Sequence, residues 1–230
     1  MAVWKNDEEL FSLAKKELFV ALVGDVLDRT GFRRQFLPQS IKPLCAGSTV
    51  IGRAMPVLEA DVFDEVAEDG NNPLMKKPFG IMFEALDSLK ENEVYVCSGA
   101  SPGYALWGGL MSVRAQKLKA AGAVVNGFSR DTNEILNMNF PVFSMGSYAQ
   151  DQGPRGKVID YGSSIEFGGI RIHPGDIVYG DRDGTLVVPQ QVAEEAFALA
   201  IEKARGEKSV RKALEDGMSA ADAFEKYGIM

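Results

Sequence analysis

The chain has 230 residues, 46% of them hydrophobic and 25% charged, the balance of an average water-exposed globular protein with a sizeable core. A formal net charge of −7 argues against general nucleic-acid binding, which needs a basic face, though a small anionic substrate still fits a local cationic site. Cys45 and Cys97 are the only cysteines and form no CxxC pair, which excludes a disulfide framework and a zinc-ribbon pattern.

The amino-terminal segment shows no signal-peptide pattern, and no apolar run approaches the roughly 20 residues of a membrane helix, so a cytoplasmic location is expected. Asn6 followed by Glu9 predicts a capping box, and Leu10, Leu13 and Ala14 then share a helical face. A second helix is expected over 20–29, stopping at Gly31, with Asp25 and Asp28 on one solvated face. A β region follows over 44–57, in two runs at 48–51 and 54–57. The stretch 60–78 is acidic and then irregular, with Gly70-Asn71-Asn72-Pro73 as a loop signal. A helix over 79–89, a buried strand over 93–97 and a glycine-rich turn over 98–103 come next. A helix is expected from about 109 to 121, then strands over 123–126 and 141–144.

The last third begins with strands at 158–161, 165–167, 170–172 and 177–179, with Gly168-Gly169 as a hairpin turn. Asp181-Arg182-Asp183-Gly184 predicts a turn before a strand over 185–189. A helix over 191–205 and a last helical segment over 209–227 close the chain. The alternation argues for a mixed α/β fold, read as a single domain over 1–230 without repeats or linkers.

Chemistry concentrates in one region. Gly108 and Gly109 open the helix, where the first amides lack an intrahelical acceptor and the dipole is positive. A carboxylate or phosphate can be held by the amides around Gly109, Leu110 and Met111; a tight turn requiring glycine is the alternative. The next strand ends at Gly127-Phe128-Ser129-Arg130-Asp131, where α/β folds display reacting groups. Arg130 can clamp a carboxylate in a bidentate way, or simply pair with Asp131 at the surface. Asp131 and Glu134 offer hard oxygen ligands of the kind Mg²⁺ or Mn²⁺ takes together with waters and substrate oxygens.

Gly108-Gly109-Leu110-Met111 with Arg130-Asp131-x-x-Glu134 resembles the motif of RraA-like proteins. The resemblance runs from about Val20 to the carboxyl terminus. It includes Asp25-Val26-Leu27-Asp28, the segment 121–127, the turn 181–184 before Val187-Val188-Pro189, and the ending 223–228. That family includes divalent-metal-dependent 4-hydroxy-4-methyl-2-oxoglutarate aldolases that also decarboxylate oxaloacetate, and members that inhibit a ribonuclease by binding it. The resemblance implies a swivelling ββα sandwich, a central mixed sheet flanked by helices, assembled as homotrimers or hexamers. It implies that Gly108, Gly109, Leu110, Met111 and Arg130 bind the substrate, that Asp131 binds the metal, and that Glu134 holds a metal-bound water. Aldolase members carry an acid that governs a water in proton transfer where this chain has Gly109, so the resemblance does not supply the proton donor; an Asp is also common where it has Asn126.

The implied reaction is cleavage of the C3–C4 bond of a 2-oxo acid, with the metal and a catalytic Arg130 stabilising a pyruvate enolate, and with no Schiff base. Alternatives are a ribonuclease regulator or a lyase for a sugar-acid-like substrate. Outside this motif the expectations are structural: Lys117 and Lys119 solvated, His173 in a turn, and Asp181-x-Asp183-Gly184 a turn and not a calcium loop. No Walker pattern supports nucleotide binding. Glu207 lies on a solvated helix or completes a neighbouring subunit's site.

Overall fold

Side-chain alternation in the central strands divides the core. In the computed structural model, which describes residues 4–62 and 71–228, the helices are α1 (Asp7–Glu17), α2 (Val20–Arg29), α3 (Met82–Asp87), α4 (Gly109–Lys117), α5 (Thr132–Met138), α6 (Ala193–Glu215) and α7 (Ala220–Tyr227). The strands are β1 (Lys42–Pro43), β2 (Val50–Asp61), β3 (Glu93–Ser98), β4 (Ala105–Trp107), β5 (Gly122–Val125), β6 (Phe128–Ser129), β7 (Val142–Ser144), β8 (Gly156–Tyr161), β9 (Ile165–Phe167), β10 (Ile170–Ile172), β11 (Ile177–Gly180) and β12 (Thr185–Val188). Residues 63–70, part of the stretch expected to be acidic and irregular, lie outside the described residues. Among the described residues no helix is long and apolar enough to cross a membrane.

Eight strands form a mixed sheet in the order β1-β7-β5-β3-β2-β11-β12, with β8 also on β2. β2, β3, β5 and β7 run parallel to one another, β1 pairs antiparallel with β7, and β11 and β8 pair antiparallel with the first and second halves of β2. Strands buried on both faces need continuous apolar sequence, and here the period of two sorts the residues. Tyr95, Cys97, Ala123 and Val125 face the layer of α3, α4 and α5, whereas Val94, Val96 and Val124 face the β9–β10 hairpin. At the other end of the sheet, Ile51, Ile177, Tyr179, Leu186 and Val188 pack against α1, α2 and α6. The expected central mixed sheet flanked by helices is the architecture observed.

Several local expectations shift. The two runs expected in 44–57 are one 12-residue strand, β2, which continues through Pro56. The helix expected over 79–89 is only Met82–Asp87, because Gly80 has φ +62° and breaks it from Phe79. The helix at Gly109 ends at Lys117, four residues early, where Lys119 turns to φ 61°. Phe128-Ser129, expected as loop, pairs with β4 as a short parallel strand. Gly206 does not end a helix: α6 runs for 23 residues. A helical glycine costs about 1 kcal/mol, less than the ~1.5–3 kcal/mol from burying one large apolar side chain, and Phe197, Ile201 and Val210 lie buried on either side of it. The break falls at Gly217, φ 95°. Asn6 does cap α1, accepting from the Glu9 amide at 2.9 Å, but the Glu9 carboxylate reaches Lys5 N, not Asn6 N.

Candidate active site

The site forms where two short structures meet. β4 and β6 lie side by side, and Arg130 N donates to Trp107 O at 2.9 Å, so the end of β6 is tied to the start of α4. Gly108 is the extended residue before α4, and Trp107 Nε1 donates to Ser112 Oγ at 2.7 Å, while Ser112 Oγ donates to Gly108 O at 3.0 Å. These bonds fix the first turn of α4 against buried Trp107.

Asp131 precedes α5 in the left-handed region, φ 57° and ψ 36°. This conformation, uncommon for an L residue, turns its carboxylate away from α5. Asp131 Oδ2 accepts from Gly109 N at 3.0 Å and lies 3.8 Å from Arg130 Nε. An aspartate preceding one helix thereby caps another. The Gly109 amide, which the sequence offers to a substrate anion, donates to Asp131 in this structure. The rest of that first turn belongs to Leu110 and Met111, whose amides have no acceptor within the helix.

Glu134 stands on α5 across from Gly109. A Cβ built on Gly109 would collide with the Glu134 carboxylate and lie 3.2 Å from Asp131 Cβ. The absence of a Cβ at Gly109 thus leaves room for the Glu134 carboxylate, with Asp131 alongside. Among the described residues no group of three or more His, Cys, Asp or Glu side chains converges to hold a metal ion. Two carboxylates still match the donor set of Mg²⁺ or Mn²⁺, which keeps several waters and takes substrate oxygens for the remainder.

Gly108, Leu110, Met111, Arg130 and Asp131 all line one cavity of about 520 Å³; Gly109 and Glu134 lie beside it. Sequence reasoning missed the rest of that cavity. Asp151 Oδ1 pairs with Arg130 Nη1 at 2.6 Å, and Asp151 Oδ2 accepts from Gly153 N at 3.0 Å. The polar run Gln150-Asp151-Gln152-Gly153-Pro154 has the composition of a loop, but nothing in it points to Arg130. Phe79 and the α3 residues Met82, Phe83 and Leu86 form an apolar wall, and Arg114 beside them pairs through Nε with Asp87 Oδ1 at 2.7 Å.

Other candidates stay structural. His173 Nδ1 meets Ser164 Oγ at 2.6 Å in a turn. Asp181 Oδ1 accepts from Asp183 N, and its Oδ2 accepts from Val20 N at 2.8 Å, tethering α2. Asp25 and Lys119, expected on solvated faces, are exposed and form surface ion pairs with Lys203 at 2.5 Å and Glu91 at 3.1 Å.

A family profile described as RraA-like, Aldolase/RraA, matches residues 20–187. Protein DlpA of Legionella pneumophila is 27% identical over 209 residues, covering 90% of this chain but only 32% of that protein's own length. A protein of Halalkalibacterium halodurans, provisionally named a 4-hydroxy-4-methyl-2-oxoglutarate aldolase, is 28% identical over 188 residues, 82% of each chain. The crystal structure of RraAS2 of Streptomyces coelicolor, described as an unusual member of the RNase ES inhibitor RraA protein family, superposes with a TM-score of 0.77. It covers 91% of this chain and 99% of its own at 22% identity, which speaks for the fold alone.

Proposed function

The chain belongs to the RraA-like family, and from that premise we propose that it is a divalent-metal-dependent lyase that cleaves a C–C bond of a 2-oxo acid to release pyruvate. The observation that carries this reading is the meeting of Arg130 and Asp131 at Gly108 with Glu134 and Asp131 at Gly109, beside one cavity. A pure binding surface has no use for that set.

Asp131 and Glu134 are the residues proposed to hold Mg²⁺ or Mn²⁺, which supplies Lewis-acid polarisation of the keto oxygen and stabilises charge developing there. Arg130 binds the substrate carboxylate, and Asp151 fixes the guanidinium by its bond to Nη1. The open first turn of α4 adds the amides of Leu110 and Met111 at the positive end of the helix. When the bond between C3 and C4 breaks, these donors stabilise the anionic three-carbon fragment, which becomes pyruvate on taking a proton at C3. Oxaloacetate decarboxylation and retro-aldol cleavage lead to the same fragment, so one site serves both. A homotrimer or hexamer and a cytoplasmic location belong to the same reading.

The test is pyruvate release from oxaloacetate and 4-hydroxy-4-methyl-2-oxoglutarate with Mg²⁺ or Mn²⁺, with a chelator control. Chelator-sensitive release that is lost in Asp131→Ala is expected. No chelator-sensitive release from any 2-oxo acid sinks the lyase and leaves the ribonuclease-regulator reading.

A further inference from the structure

The cavity beside Arg130 has a composition that bears on the substrate itself. Of its polar residues, Arg130, Asp131, Asp151 and Gln152 come from the β6–α5 turn and the loop before β8, and Asp87 and Arg114 from α3 and α4. Most of its remaining wall comes from Phe79, from Met82, Phe83 and Leu86 on α3, and from Leu110 and Met111 on α4. Phe79 and Phe83 pack edge to face with ring centroids 5.5 Å apart, an arrangement that a third aromatic ring can extend. The volume, about 520 Å³, falls in the range of roughly 300–1,000 Å³ that holds drug-sized ligands, well beyond the need of a four-carbon acid.

The charges point the same way. Among the described residues two cations line the cavity, and each already has a partner: Arg130 holds Asp151 at 2.6 Å, and Arg114 holds Asp87 at 2.7 Å. Asp131 belongs to the proposed metal site; apart from it, Asp87 and Asp151 match the two arginines one for one, so the wall away from the metal carries no net positive charge. A second carboxylate on the substrate would find no free cation there, and burying an unpaired charge is strongly unfavourable. An apolar group in the same place removes apolar wall from water.

We propose that the cavity selects a monoanionic 2-oxo acid whose distal part, beyond the bond to be cleaved, is an aryl or branched alkyl group and not a second carboxylate. This rests on the lyase reading for the chemistry but not for the recognition. With a 4-hydroxy-2-oxo acid of this kind, the C3–C4 bond breaks and its electron pair stays on C3, which takes a proton to become the methyl group of pyruvate. The C4 hydroxyl loses its proton, and the apolar aldehyde leaves.

Two measurements on the full chain with Mn²⁺ test it. The first compares pyruvate release from 4-hydroxy-2-oxo-4-phenylbutanoate and from 4-hydroxy-4-methyl-2-oxoglutarate; the phenyl substrate is expected to win in kcat/KM by about tenfold or more. The second compares calorimetric binding of phenylpyruvate and 2-oxoglutarate, with the same order and a similar ratio expected. Phe83→Ala, at a side chain 57% exposed and so safe for folding, is expected to shrink both ratios. Asp87→Asn, which releases Arg114, is expected to shift both toward the dicarboxylates. Equal or tighter binding of 2-oxoglutarate, or of neither acid, overturns the proposal, as does an unchanged ratio in both variants. Preferential phenylpyruvate binding without pyruvate release from any acid overturns the lyase reading and supports the assignment of the cavity.

Discussion

Arg130 carries its charge among carboxylates: Asp151 at 2.6 Å from Nη1 and Asp131 at 3.8 Å from Nε. Asp151 has little freedom to swing away, because its second oxygen accepts from Gly153 N at 3.0 Å. It holds the guanidinium in one orientation before substrate arrives, and a small misplacement of such a group costs up to about 100-fold in rate. Asp151→Ala is therefore expected to lower kcat/KM by about 10- to 100-fold, while the melting temperature hardly moves, because half-exposed ion pairs contribute only about 0–1 kcal/mol. Asp151→Asn, which keeps an oxygen acceptor for Arg130, is expected to recover part of the loss. Equal kinetics in the wild type and Asp151→Ala would falsify the positioning role. Gly109 makes a second residue-scale case. Any Cβ there meets the Glu134 carboxylate, so Gly109→Ala pushes that carboxylate off its place beside Asp131. Mn²⁺ affinity, read by calorimetry, is expected to fall by about tenfold in both Gly109→Ala and Glu134→Ala. The double variant should lose no more than either single one, since both changes remove the same group.

Among the elements, β2 bears the most: it pairs with β3, β8 and β11, and it buries Glu59 at 1% exposure. The Glu59 carboxyl faces the Cys97 thiol at 3.6 Å, and its Oε1 has no hydrogen-bond partner among the described residues. Burial pushes its pKa from 4.5 up to about 8. Between those values the folded chain keeps a proton that the unfolded chain has released, so stability is fullest below 4.5 and falls as pH rises, until the loss is complete above about 8. At ~1.4 kcal/mol per pKa unit, the loss amounts to a few kcal/mol. Glu59→Gln is expected to flatten that slope and to be more stable than the wild type at pH 8, as read from urea midpoints. A parallel slope in both proteins would show that Glu59 does not titrate there. Such a residue was hard to see in sequence, because Arg53, Pro56 and Glu59 interrupt the apolar pattern of the strand that turned out longest. The helix through Gly206 was hidden for a related reason: the local signal is weak, and burial on the far side of the glycine decides. Arg130, Asp131 and Glu134 were legible because they lie within five residues of one another at the end of a strongly apolar strand. Asp151 and the α3 wall were not, since only the sheet order brings residues 79–87 and 151 to the same rim.

For the whole molecule, charge sets the terms on which an anion binds. The chain carries −7, the cavity is net negative, and Glu134 stands just behind Gly109. Against this field a 2-oxo acid gains little from Arg130 alone, whose charge Asp151 largely offsets. A divalent cation held by Asp131 and Glu134, as proposed, would reverse the local sign and turn a repulsive rim into an attractive one. The same cation relieves repulsion between carboxylates in the folded state only, so it must also stabilise the fold. At a concentration about 100 times its dissociation constant, a ligand confined to the folded state adds about 2.7 kcal/mol. For a protein of this size, that corresponds to a rise in melting temperature of about 5–10 °C. The chelator-treated chain is expected to melt lower than the Mn²⁺-loaded chain by that margin, and Asp131→Ala to show no difference between the two. Because Asp131 also caps α4 through Gly109 N, the variant should start from a lower melting temperature, about 1 kcal/mol less stable. The informative quantity is consequently the shift on adding Mn²⁺ and not the absolute temperature. An unchanged shift in Asp131→Ala would place the cation elsewhere, and no shift in the wild type would leave the net negative rim without the charge it needs to hold an anionic substrate.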